Sequence, residues 1–157
     1  MKVFRLHRTQ VLPVSLREAW PFFSTPRNLG EITPPFLNFH ITSEVPDDIY
    51  PGLIITYRIA AIAGIPMTWV TEIKDVEVLR QFVDEQRLGP FRFWHHLHRF
   101  REVEGGIEME DIVHYVMPWG WFGQWVHRLF VRSRLLTIFD FRRDYLASLF
   151  PRPAKTD

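Results

Sequence analysis

Most of the chain, from residue 37 to residue 117, alternates apolar and polar side chains with a period of two, which indicates β-strands. Turn signals such as "PDDIYPG", "AGIP" and "EGG" separate the apolar runs. Consecutive strands joined by such short turns pair antiparallel, because parallel pairing needs a long crossover. The predicted strands cover residues 37–44, 53–60, 66–75, 80–88, 91–103 and 107–117.

A long helical segment follows the strands, because residues 119–150 contain no proline. Together with a strand at 2–12 and two short helices, the order is β-α-α-β6-α. This order predicts an α+β fold in which a strongly curved antiparallel sheet of about seven strands wraps around the C-terminal helix. We predict one domain over residues 1–150 and a frayed tail at 151–157, where the chain is polar and rich in proline.

Two short helices are expected before the main sheet. Ser15 and Glu18 have the spacing of a capping box, and Pro21 is expected to interrupt the helix that they begin. Residues 25–32 predict a second helix, with Thr25 as its cap and Pro26 in its first turn.

The C-terminal helix does not carry one continuous apolar stripe. Its first half and its second half place their apolar residues on different faces, so we expect a kink or a break between about 131 and 137. The charged run at Asp140, Arg142, Arg143 and Asp144 is assigned to a solvated helix face.

The segment "FRFWHHLHRF" (91–100) contains three of the seven histidines. If Gly105 and Gly106 form the hairpin loop, His98 pairs with Val113 and Arg101 forms an ion pair with Glu110. His96 and His98 then share a face with apolar residues and point inward, while His95 points outward. A slip of one residue would bury arginine and glutamate side chains instead, at a much higher cost.

The same argument from alternation, applied to every strand, defines an inner face that is aromatic with a polar cluster. In the strand 80–88 the even-numbered residues, including Leu88, are assigned to this face. The predicted ligand-contacting residues are Tyr57, Trp69, Thr71, Phe82, Asp84, Gln86, Trp94, His96, His98, Phe100, Met109, Asp111, Val113, Tyr115, Phe122 and Trp125.

Composition excludes several other classes of function. A net charge of +1 provides no strong field for nucleic acid, and the absence of cysteine excludes disulfides, thiolate metal sites and a cysteine nucleophile. The first residues lack the apolar core of an export signal, and no apolar run is long enough to cross a membrane. We therefore expect a cytoplasmic protein. Aromatic residues make up 15% of the chain, so they must line either a dense core or an apolar cavity.

Three stretches carry a resemblance to a known family: "PVSLREAWPFFSTPRNLGEITPPF" (13–36), "FVDEQRLGPFRFWHHLHRF" (82–100) and "EMEDIVHYVMPWG" (108–120). With the element order, they resemble the START-like superfamily, also called SRPBCC, which includes polyketide cyclases, coenzyme Q-binding proteins, plant pathogenesis-related allergens and lipid-transfer START domains. The resemblance implies the helix-grip fold and a hydrophobic cavity between the sheet and the long helix. In this superfamily such cavities often hold lipids, isoprenoids or polycyclic molecules.

Four interpretations of the inward polar cluster stay open. His96, His98 and Asp111 could ligate a metal, could act as a catalytic acid and base, could form a structural hydrogen-bond network, or could contact the polar group of an apolar ligand. We expect no metal and no cofactor, and we expect binding of a lipid, isoprenoid quinone or polyketide-like molecule by a carrier, sensor or ligand chaperone. The alternative is an enzyme of the cyclase, dehydratase or hydrolase type that uses His96, His98 and Asp111 on an aromatic substrate.

The segment "MPWGWFGQWVHRLF" (117–130) places several aromatic residues at the start of the last helix. Tryptophan favours boundaries between water and apolar surroundings, so Trp119 and Trp121 predict transient contact with a membrane surface. Simple packing of the helix is the alternative.

Overall fold

A computed structural model describes residues 1–62 and 64–151, without the side chain of Ile62, so nearly all of the predicted tail at 151–157 lies outside the described residues. Seven antiparallel strands form one curved sheet in the order β1-β7-β6-β5-β4-β3-β2. The strands are β1 (Phe4–Leu12), β2 (His40–Ile41), β3 (Ile54–Ile62), β4 (Ile65–Glu77), β5 (Gln81–Leu88), β6 (Phe93–Val103) and β7 (Gly106–Val116).

A long helical segment ends the fold and packs against the sheet, which confirms the predicted α+β class. It contains α2 (Gly120–Val126), a π-helical turn (His127–Val131) and α3 (Arg132–Leu149), while α1 (Leu16–Ser24) follows β1. None of the described helices is long and apolar enough to cross a membrane.

The capping box at the start of α1 is present as predicted, but Pro21 does not interrupt the helix. The backbone N–H of Glu18 donates to the Ser15 hydroxyl, and the Ser15 N–H donates to the Glu18 carboxylate. Helix α1 continues through Pro21 to Ser24, because burial of Trp20 and Phe23 favours the complete helix over the local preference of one proline.

The segment between α1 and β3 is less regular than its sequence pattern predicts. A 3₁₀-helical turn replaces the expected second helix at Pro26–Gly30, and the Thr25 hydroxyl donates to the Pro21 carbonyl instead of capping it. A further turn at Pro35–Leu37 occupies part of the predicted strand 37–44, which is reduced to His40–Ile41. Asn38 adopts a left-handed backbone conformation with a φ of +51°, which interrupts the extended chain before His40.

The β6–β7 hairpin has the predicted faces and a different register. Val103 pairs with Gly106, so Glu104 and Gly105 form the loop and His98 faces Asp111 rather than Val113. A shift of two residues preserves which side chains point inward. The predicted Arg101–Glu110 ion pair is therefore wrong, and the observed pairs are Arg101–Glu108 at 2.6 Å and Arg99–Glu110 at 3.2 Å.

Gly106 begins β7, directly after the two-residue hairpin loop. Its φ is +147°, and a Cβ at this position would lie 2.0 Å from the Leu12 carbonyl oxygen. Only glycine is therefore compatible with the backbone here. At the end of β5, Leu88 was expected inside but is 57% exposed, because β5 meets β4 through register shifts there.

A stripe of buried side chains on the C-terminal helix faces the sheet. It combines four- and three-residue steps and consists of Val131, Leu135, Phe139, Arg142 and Leu146. Arg142 is thus buried rather than solvated. The irregularity expected at 131–137 occurs slightly earlier, as the π-helical turn at His127–Val131.

His127 anchors the π-helical turn to the sheet. The Tyr115 hydroxyl lies 2.8 Å from His127 Nε2, and the His127 ring stacks on Phe4 with centroids 3.6 Å apart. Burial, together with the nearby charges of Lys2 and Arg132, lowers the pKa of His127. The neutral ring therefore accepts the Tyr115 hydrogen bond.

We expect His127→Phe to flatten the pH dependence of stability between pH 7.5 and 5.5. The folded-state pKa of His127 lies below its unfolded value of about 6.5, so stability is present above that pH and falls as the pH drops. The variant also loses about 1 kcal/mol at pH 7.5, because Tyr115 has no acceptor. Urea unfolding at each pH measures this, and parallel curves for both proteins would contradict it.

Candidate functional site: a cavity with a charged wall

A cavity of about 210 Å³ lies between the sheet and the last helix. One water molecule needs a cavity volume of only roughly 10–15 Å³, so this cavity is large. Strands β3, β4, β5 and β6 supply one side, and the turns after α1 together with α3 supply the other. The wall is mostly apolar and aromatic, and its polar residues include Thr71, Asp84, His96, His98 and Arg142.

Eight of the sixteen predicted ligand-contacting residues line this cavity. They come from four strands and point to the concave face: Tyr57, Trp69, Thr71, Phe82, Asp84, Trp94, His96 and His98.

The other eight lie elsewhere. Gln86 holds the β5–β6 turn through two hydrogen bonds to the Phe91 backbone, and Asp111 lies behind the two histidines. Helix α2 projects away from the cavity, so Phe122 and Trp125 are 51% and 62% exposed. The remaining four are packed in the core, namely Phe100, Met109, Val113 and Tyr115.

Sequence patterns in the strands did not reveal the helical side of the cavity. Leu135, Ile138 and Phe139 of α3 line it, as do Leu29 and Ile32 of the preceding turns. The three-to-four-residue spacing of the helix stripe could have indicated the first group. Phe36, which lies in the turns after α1, is 43% exposed and contacts the Arg134 guanidinium through its ring.

Two histidines are held between two carboxylates at one wall. Asp111 Oδ1 lies 2.9 Å from His96 Nε2 and 3.0 Å from His98 Nδ1. On the cavity side, Asp84 Oδ2 lies 2.7 Å from His98 Nε2 and 3.6 Å from His96 Nδ1. The centroids of the two imidazole rings are 3.7 Å apart, and the His98 ring also stacks on the Phe82 ring.

Arg142 completes this charged network from the helix. Its guanidinium lies 3.5 Å from Asp111 Oδ1 and 3.4 Å from His98 Nδ1. An arginine flanked by Asp140, Arg143 and Asp144 looks like part of an exposed face in the sequence. Only its position on the buried stripe, four residues before Leu146, signals its true location.

Mutual contacts determine the ionisation of the network. Burial would raise the pKa of Asp111, but the Arg142 charge and the bonds from both histidines hold it well below its usual value. Burial would also raise the pKa of Asp84, but the two histidines and Arg142 outweigh it and lower the pKa. Burial would lower the pKa of His98, yet its bonds to Asp111 and Asp84 raise it.

His96 behaves differently, because burial and the neighbouring His98 charge lower its pKa. These opposite pKa directions favour a positive charge on His98 over one on His96. His96 donates its Nε2 hydrogen to Asp111, which leaves Nδ1 as an acceptor turned toward Asp84.

A second polar feature lies on β4. The Trp69 indole N–H is buried and has no hydrogen-bond partner among the described residues, although tryptophan usually finds one when buried. Nearby, Tyr57 and Thr71 bond to each other at 3.1 Å. The polar atoms that the wall offers to a guest are therefore those of Asp84 and His96, which with His98 could also hold a metal ion.

Comparison with solved structures shows the same fold. The chain is similar to protein Ms6760 from Mycobacterium smegmatis, with a TM-score of 0.65, 18% identity and coverage of 95% of this chain and 98% of that one. It is also similar to protein CV1439 from Chromobacterium violaceum, with a TM-score of 0.69, 13% identity and coverage of 96% and 97%. For Ara h 8.0201 the TM-score is 0.59, the identity is 17% and the coverage is 94% and 99%.

These identities are low, so the similarity concerns the helix-grip fold alone and confirms that part of the prediction. No protein-family model matches the chain, and no curated protein matches its sequence.

Asp111→Asn is expected to destabilise the fold by about 3 kcal/mol or more, because it leaves the buried Arg142 and His98 charges undercompensated. Chemical denaturation measures the effect. Glu110→Gln is the matched control, because the neighbouring Glu110 pairs with Arg99 at the surface, where such pairs contribute under about 1 kcal/mol. Equal losses in the two variants would contradict this account of the network.

Proposed function

We propose that the chain binds a hydrophobic small molecule in the cavity and acts as its carrier, sensor or chaperone. The observation that supports this most is the uneven wall, which is apolar on most sides and polar at one wall. Apolar lining supplies affinity of roughly 25 cal/mol per Å² buried. The polar groups orient the guest, so its polar part lies against Asp84 and His96.

A lipid, an isoprenoid quinone and a polycyclic or polyketide-like molecule all fit this description. A membership in the START-like superfamily, which the sequence motifs suggest, would agree with any of these ligands. The common chemical feature is a mostly apolar body with one or two polar substituents.

A cavity-filling variant tests the binding site. We expect Ile138→Trp to weaken binding of 8-anilinonaphthalene-1-sulfonate at least tenfold, because the larger ring occupies the cavity that Ile138 lines. Thr137→Trp is the matched control, since Thr137 is the preceding residue on α3 and is exposed. Fluorescence titration measures both affinities. Unchanged affinity in Ile138→Trp would place the probe outside the cavity and count against the proposal.

The enzyme alternative is favoured by one observation, the 2.7 Å contact between His98 Nε2 and the Asp84 carboxylate at the cavity wall. Native mass spectrometry of the chain after exposure to a cell extract identifies the captured molecule. Its recovery unchanged after prolonged incubation supports a carrier, whereas a product of altered mass that disappears in Asp84→Asn supports the enzyme.

We also propose that the start of the C-terminal helix docks on an anionic lipid surface. The aromatic patch, defined as Trp119, Trp121, Phe122, Trp125 and Phe130, consists of side chains that are 51–80% exposed. Lys2, Arg128 and Arg132 line a groove together with Trp121 and Trp125. The sequence contains no acidic residue from 112 to 139, so this region is cationic and complements anionic headgroups.

Vesicle sedimentation tests the docking. We expect binding to phosphatidylcholine vesicles that contain phosphatidylserine, weaker binding at high salt, and a loss of at least tenfold in Trp121→Ser/Trp125→Ser. Val78→Ser is the control, because Val78 is 71% exposed and lies outside the patch. Equal binding by all three proteins, or a concentration-dependent dimer that the double variant abolishes, would overturn the lipid assignment.

A further inference from the structure

Three potential ligand atoms converge at the cavity wall. One ring nitrogen of His96, one of His98 and an oxygen of Asp84 all lie within 4.8 Å of one another. Asp84 Oδ2 is 3.6 Å from His96 Nδ1 and 2.7 Å from His98 Nε2. Asp84 and His96 are directly paired across β5 and β6, and His98 is the next inward residue on β6. Two imidazoles and one carboxylate on rigid neighbouring strands form the donor set that Fe²⁺, Zn²⁺ and Co²⁺ bind.

From this geometry we propose that Asp84, His96 and His98 bind one divalent transition-metal ion whose open coordination positions face the cavity. The proposal replaces the expectation of no metal drawn from the sequence. That expectation considered Asp111 as the carboxylate ligand, because Asp111 shares the inner face of the β6–β7 hairpin. In the structure Asp111 lies on the far side of both rings, and Asp84 occupies the cavity side.

Asp111 has the position of an outer carboxylate that orients metal-binding histidines. It accepts hydrogen bonds from His96 Nε2 and His98 Nδ1, so the opposite ring nitrogen of each histidine points to Asp84. Histidine ligands usually donate their second N–H to such a carboxylate, which fixes the tautomer and the ring orientation. Arg142, 3.5 Å away, keeps Asp111 in its acceptor role.

The spacing of His96 and Asp84 also favours an ion at this position. His96 Nδ1 and Asp84 Oδ2 are both acceptors, and they face each other at 3.6 Å. A cation between them binds a lone pair from each atom, whereas the direct contact of two acceptors gives His96 Nδ1 no hydrogen. On binding, His98 Nε2 releases its hydrogen to solvent and the metal takes its place.

The required movement is small. Two ligands of one tetrahedral ion at about 2.0–2.1 Å lie roughly 3.3 Å apart, so Asp84 must withdraw slightly from its 2.7 Å contact with His98. Asp84 has some freedom to do so, because 17% of its side chain is exposed to the cavity. Both histidines are held by Asp111 and need not move.

Titration of the chelator-treated full chain with Co²⁺ tests the proposal, read by visible ligand-field absorption and by elemental analysis after gel filtration. We expect one equivalent to bind, Zn²⁺ to displace it, and the ion to raise the melting temperature. Asp84→Asn and His98→Gln should each weaken binding at least 100-fold. Asp111→Asn, which removes only the orienting carboxylate, should weaken it about 10–100-fold.

His95→Gln is the matched control. His95 lies between the two proposed ligands in sequence, and its ring is 6.4 Å from that of His114 rather than beside Asp84. Retained binding in His95→Gln with loss in Asp84→Asn supports the site. If His98→Gln fails to fold, Asp84→Asn decides, because its side chain is partly exposed. The proposal is overturned by less than stoichiometric metal in the unmodified chain, or by binding that depends on His95 instead.

Discussion

Charge compensation around Asp111 is the constraint on which the rest of the architecture depends. An isolated carboxylate at 2% exposure would be prohibitively costly, and Asp111 is tolerated because His96, His98 and Arg142 surround it. Its partners come from β6 and from α3, so the network joins the hairpin to the helix. The apolar contacts between the helix and the sheet are non-directional. Contact between Arg142 and Asp111 selects one position.

The position of α3 on the sheet determines which part of the interior is filled and which part remains a cavity. Toward one end of the sheet, helix α1 packs Trp20 and Phe23 against Phe100, and Leu146 is fully buried there. Around Trp69 and Trp94 none of the helices in the described residues besides α3 fills the concave face, and the turns at Pro26–Gly30 and Pro35–Leu37 only border it. The aromatic excess thus serves both a dense core and a cavity wall, the two options that composition left open.

Alternation along the strands was enough to predict the inner face, because side-chain direction has a period of two and a register error of two residues leaves it unchanged. Alternation does not determine which residues pair across two strands. The sequence therefore predicted that His98 pairs with Val113, whereas its partner is Asp111. Arg142 was missed for a related reason. A local pattern of charges indicates exposure, and only the distant Asp111 makes burial of this arginine favourable. The loops bordering the cavity and the π-helical turn depend on tertiary packing, which short-range patterns do not report.

The few polar atoms of the cavity wall determine which apolar guests bind well. Any apolar molecule of suitable size gains from the aromatic lining, which discriminates weakly between shapes. A guest that offers no hydrogen-bond donor or metal-binding group near Asp84 and His96 leaves the His96 Nδ1 lone pair without a partner. Each such loss costs about 1–3 kcal/mol, or roughly 5- to 150-fold in affinity. Affinity therefore arises from the apolar wall, while selectivity arises from a few polar atoms, which the Asp111–Arg142 contact holds in place.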